Sequence, residues 1–154
     1  MNKLLDGVYK SKLDVFDLEN ADKMDPKEVH SIISLIAAEL GFQISNISIW
    51  NEFPIDVDIT AVPFCWHHDH TPNCDTLLLI YFTDEELTEH TGGRIGFDDG
   101  YSANYYNIKS GDCFIVNQHK TLHSVEKIKV NLTKRLCISC SLNGWNNFEH
   151  TKSI

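Results

Sequence analysis

The clearest periodicity in the chain lies between Asp25 and Gly41. Val29, Ile32, Ile33, Ile36, Ala37 and Leu40 recur at steps of three and four, which places one apolar stripe on a helix. Asp25 is a good N-cap, Pro26 suits the first helical position, Glu28 stands where a capping box needs it, and Gly41 supplies the stop. Beyond Gly41 the period changes to two. Segments 47–50 and 57–62 alternate, and 76–82 is an unbroken apolar run of the kind a strand buried on both faces shows. Further strands are predicted at 94–97, 105–108, 112–116, 122–127 and 135–142. Turn signals separate them at 91–93, 98–100, 110–111 and 131–133. Many short strands with regular breaks predict a mainly β fold, a sandwich, jelly roll or barrel, with one helix covering a sheet.

Length and composition narrow the class. No repeat or linker divides the chain, so residues 1–154 are expected to form one domain, burying roughly 70% of the surface of the unfolded chain. The formal charge of −9 is contrary to phosphate-backbone binding, and no nucleic-acid partner is expected. No run approaches about 18 apolar residues, so no membrane span is expected. Residues 1–10 show no signal peptide, and the odd set Cys65, Cys74, Cys113, Cys137 and Cys140 reads as reduced thiols in a cytoplasmic setting. Cys137 and Cys140 have Cys-x-x-Cys spacing, but they sit inside a strand pattern and no second pair completes a zinc site.

Candidate chemistry gathers in two places. In an extended segment, side chains two apart share a face, so His67 and Asp69 point together, as do His68 and His70. The first pair, joined by the distant His123, offers two imidazoles and a carboxylate, a set suited to non-haem Fe(II) with an open face. The second would give an all-histidine site, closer to zinc or cupin-like proteins or to a dioxygenase that does not use oxoglutarate. His119 competes with His123 but falls in a polar loop. Arg135 follows His123 by twelve residues; a hairpin centred on residue 129 would set the two side chains at roughly 5 Å between Cβ atoms. Arginine suits a bidentate grip on a carboxylate. Trp50 and Trp66 are expected mainly in core packing, with pocket lining as the alternative.

The ordered set resembles the Fe(II)/2-oxoglutarate-dependent oxygenase superfamily, and in particular its prolyl-4-hydroxylase-like branch. It comprises His67 to Asp69, Leu77 to Asp84, Thr91 to Phe97, Ser110 to Phe114, Leu122 to Val125, and Arg135. The resemblance implies a double-stranded β-helix (jelly-roll) core with Fe(II) held by His67, Asp69 and His123. It implies that Arg135 pairs with the distal carboxylate of 2-oxoglutarate and that Tyr81 hydrogen-bonds the same group. It further implies oxidative decarboxylation to succinate and CO2, with O2 as co-reactant and ascorbate as an accessory, and hydroxylation of a peptide, prolyl or small-molecule substrate. Two positions depart from the pattern. Arg94 stands where many relatives carry an acid, and Cys137 replaces the serine of the Arg-x-Ser pattern of some branches.

Overall fold

The computed structural model describes residues 1–13, 25–50, 65–69, 71–132 and 134–153. Among these, α1 (Pro26–Leu40) forms where the periodicity predicts it. The Asp25 carboxylate accepts from the Lys27 amide at 2.9 Å, and Gly41 closes the helix at φ 87°, a left-handed conformation that glycine adopts without penalty. Val29, Ile33 and Ala37 are its buried residues.

The strands are β1 (Asn2–Leu5), β2 (Val8–Lys12), β3 (Gln43–Trp50), β4 (Thr76–Thr83), β5 (Ile95–Asp98), β6 (Ala103–Tyr106), β7 (Asp112–Asn117), β8 (Leu122–Val125) and β9 (Arg135–Asn143). They form a major sheet in the order β1-β2-β7-β4-β9-β3 and a minor sheet in the order β6-β5-β8, with every pairing antiparallel. A short segment at His67 joins the free side of β8 through an antiparallel bridge between His67 and His123. Along the chain from β4 to β9 the path crosses between the sheets at every step except the β5–β6 hairpin, the winding of a double-stranded β-helix. The expected segment 57–62 and His70 lie outside the described residues, as does the Trp50 side chain.

Two apolar layers hold the sheets. Leu77, Leu79 and Tyr81 of β4 meet Phe114, Val116, Ile95 and Phe97 between the sheets. Leu78, Ile80 and Phe82 face the other way, against α1 and the C-terminal helix α2 (Trp145–Ser153). Burial on both faces explains why β4 reads as an unbroken apolar run.

Two elements are additions to the sequence reading. The β1–β2 hairpin turns at Asp6 and Gly7, a dipeptide that is itself a hairpin signal. Helix α2 carries its apolar anchors at Trp145 and Phe148, and its N-terminal cap comes from elsewhere. Asp75 accepts from the Gly144 amide at 3.1 Å and from the Trp145 amide at 3.2 Å. No helix among the described residues is long and apolar enough to cross a membrane.

Candidate functional site

The isolated bridge at the minor sheet sets the first part of the site. The His67 amide donates to the His123 carbonyl at 3.0 Å and the His123 amide returns the bond at 2.9 Å. The two imidazoles face each other with centroids 4.2 Å apart. Asp69, two residues on, closes the group: its carboxylate oxygens stand 3.5 Å from His67 Nε2 and 3.3 Å from His123 Nε2. One donor atom from each residue lies within 4.8 Å of the others. Ligands at right angles around an ion with bonds of about 2.1 Å stand about 3 Å apart, so small side-chain adjustments would let this set close on a divalent cation.

The surroundings suit the same role. With its proton on Nδ1, His67 donates to the Cys65 carbonyl at 2.7 Å, which leaves Nε2 to bind a metal ion or, when protonated as well, to donate to Asp69. His123 is almost fully buried, and its Nδ1 has no hydrogen-bond partner among the described residues. Burial opposes ionisation of Asp69, but hydrogen bonds and charge from His123 and His67 outweigh it and hold the carboxyl well below the usual range. The Asp69 hydrogen bond raises the His67 pKa against the opposing effect of burial. Of the alternative histidines, His68 is outside this cluster and His119 lies on an exposed turn after β7.

Arg135 arrives by a different route from the predicted hairpin. β8 and β9 belong to different sheets: β9 pairs with β4 and β3, and Thr83 is the cross-strand partner of Arg135. One side of β8 is taken by β5 and the other by the His67 bridge, so no edge remains for β9. β8 and β9 therefore lie in different layers and do not form a hairpin. Arg135 is 1% exposed, and its Nε donates to the Gly93 carbonyl at 2.9 Å. Gly93 has φ 74°, and a Cβ there would press on Arg135 Nε at 3.3 Å, which accounts for the second glycine of the pair before β5.

Tyr81 and Cys137 complete this second group. They are register partners on β4 and β9, and the Tyr81 hydroxyl hydrogen-bonds with Cys137 and Arg135. Burial pushes the Tyr81 hydroxyl well above its usual range. Burial also pushes the Cys137 thiol up to about 11, against the pull of the Arg135 charge, and the thiol feels the carboxylate of Asp69. All five cysteines are free, and Cys137 and Cys140 belong to opposite apolar layers, so their spacing is not a working pair. Trp66 is not a core residue: it lies partly exposed on the outer side of the minor sheet against Tyr105.

Solved structures similar to this chain include oxygenases. A 2OG-Fe(II) oxygenase family oxidoreductase from Burkholderia pseudomallei matches with a TM-score of 0.51 and 12% identity, over 77% of this chain and 51% of that one. A structure of prolyl 4-hydroxylases from Phytophthora capsici matches with a TM-score of 0.50 and 16% identity, over 88% of this chain and 47% of that one. The chain thus spans about half the length of these proteins. No protein-family model matches the sequence, and no curated protein matches it significantly. The likeness establishes the fold: a double-stranded β-helix of the kind found in 2-oxoglutarate–Fe(II) oxygenases and prolyl 4-hydroxylases.

Proposed function

We propose that residues 1–154 form a single Fe(II)- and 2-oxoglutarate-dependent oxygenase domain that hydroxylates a prolyl, peptide or small-molecule substrate with release of succinate and CO2. The observation that carries this reading is the convergence of His67, Asp69 and His123, drawn from segments more than fifty residues apart, in a fold shared with such enzymes. When bound, Fe(II) supplies the redox chemistry that couples O2 reduction to decarboxylation of 2-oxoglutarate. The chain's own residues bind and orient. His67 and His123 present neutral Nε2 donors, and Asp69 offsets part of the ion's charge while leaving the opposite face open. Arg135 offers the planar fork that grips the far carboxylate of the cosubstrate, and the Tyr81 hydroxyl adds a hydrogen bond to the same group. The apolar walls formed by Leu79, Phe97 and Phe114 limit water in the layer between the sheets. Five free cysteines accord with a reducing, cytoplasmic setting.

Anaerobic addition of Fe(II) and 2-oxoglutarate, followed by O2 and a succinate assay, tests the reading. Succinate formation, even without a substrate, is the expected result. Neither a spectroscopic complex nor succinate would overturn it.

A further inference from the structure

Among the described residues, 65–69 carry His67 and Asp69 and meet the minor sheet through few main-chain bonds. The reciprocal His67–His123 pair is the only backbone contact of this segment with β8 among them. A side chain provides a second hold. The Trp66 indole and the Tyr105 ring lie 5.7 Å apart between centroids, tilted by 36°. Both rest on Gly96: a Cβ there would come 2.8 Å from Trp66 Cη2 and 2.7 Å from Tyr105 Cε1. Its neighbours Ile95 and Phe97 face the inter-sheet core, so the two rings occupy the outer face of the minor sheet. Arg94 covers Tyr105 in turn, at 5.6 Å from its ring centre, and Glu126 locks the guanidinium with bonds of 2.9 and 2.7 Å. A glycine in mid-strand weakens a sheet and often marks a close approach; here what approaches is the ring pair.

We propose that Trp66, seated with Tyr105 on Gly96, is a positioning clamp that holds the His67–Asp69 segment in register against β8 and so sets the affinity of the three-donor site for a divalent cation. The cation part rests on the metal-centre reading above. Side chains alternate along an extended segment, so Trp66 and His67 project to opposite sides of the sheet. A ring pinned outside fixes the rotation of the backbone about its own axis, and with it the inward aim of His67 and Asp69. Removing the ring frees that rotation while the major sheet, held by its own two apolar layers, stays packed. Arg94 acts one step further out, by holding Tyr105 in place for Trp66 to lean on.

Amide hydrogen exchange read by NMR on the metal-free full chain, together with a Co(II) titration, tests the clamp. Trp66→Ala and Gly96→Ala should each speed exchange of the His67 amide about tenfold, with β4 and β9 amides unchanged, because the free energy of local opening falls without global unfolding. Co(II) affinity should fall about tenfold or more in both variants, the scale seen when the support of a metal ligand is removed. Trp66→Phe should restore much of each property. If Gly96→Ala does not fold, Trp66→Ala decides alone. Unchanged His67 exchange in a folded Trp66→Ala protein would overturn the clamp, and so would faster exchange with unaltered Co(II) affinity. Failure of the native chain to bind Co(II) would overturn the metal-centre reading instead, and the exchange comparison would then decide the clamp by itself.

Discussion

The guanidinium of Arg135 stands 5.3 Å from the centre of the Tyr81 ring, two register pairs along from the Tyr81–Cys137 position and on the same face of the sheet. A cation over an aromatic face on a neighbouring strand is held in direction as well as in place. Arg135→Lys keeps the charge but loses the planar fork, so it should raise the apparent 2-oxoglutarate requirement by about tenfold, the scale of one lost charge-assisted hydrogen bond. Co(II) binding should change little. Succinate formation against 2-oxoglutarate concentration measures the first effect and a Co(II) titration the second; equal losses would contradict the assigned role.

Asp69 supplies the negative charge between the two imidazoles. Asp69→Asn preserves size and removes that charge, so divalent-metal binding should fall by at least about tenfold and succinate formation should be lost. The carboxylate is about one-third exposed, so the thermal midpoint of the metal-free protein should move by only a few degrees, roughly the effect of 1 kcal/mol. Calorimetry on native and variant chains separates the two effects.

Tyr9 ties β2 to α2: its hydroxyl donates to Glu149 at 2.7 Å, and its ring meets Phe148 edge-on at 5.1 Å. Burial first, then the hydrogen bond to Glu149, push its pKa up to about 12. An unfolded tyrosine ionises near 10, so between those values the unfolded chain binds fewer protons than the folded one. This contribution to stability is complete below about pH 10 and is lost as pH rises toward 12. Urea midpoints measured from pH 8 upward should show the decline, and Tyr9→Phe should flatten that part of the curve.

Asp75 caps a helix that starts about seventy residues later. Removing it in Asp75→Ala leaves the Gly144 and Trp145 amides without this acceptor, and the expected cost is about 1–2 kcal/mol. Urea denaturation followed by far-ultraviolet circular dichroism checks the figure. Asp75→Asn, which retains an acceptor oxygen, should recover most of the loss.

The sequence revealed those features whose causes are local. The stripe and caps of α1 are local, and so are the doubly buried run of β4 and the glycine pair before β5. Helix α2 was not legible because its cap comes from Asp75, and residues 145–153 contain only Trp145 and Phe148 as strong apolar anchors. The N-terminal hairpin carries a readable sign in Asp6 and Gly7, but its strands are too short and polar to form an apolar run. At the site, alternation grouped His67 with Asp69, but proximity of Arg135 to His123 in sequence suggested a hairpin that the sheet order forbids. Sequence distance measured the crossing between layers, a quantity that periodicity within a strand does not encode. Cys137 looked like half of a Cys-x-x-Cys pair, and only the pairing with Tyr81 shows which layer it belongs to.

β9 is a single strand read from two sides. Leu136, Ile138, Cys140 and Leu142 pack against the helices, while Arg135 and Cys137 face the opposite sheet. A slip of one residue would exchange the two sets, sending Leu136 toward Tyr81 and a guanidinium into the helix layer. Folding and chemistry are therefore selected together along this strand: any sequence drift that preserves the packing phase preserves the aim of the arginine, and any that loses it loses both at once.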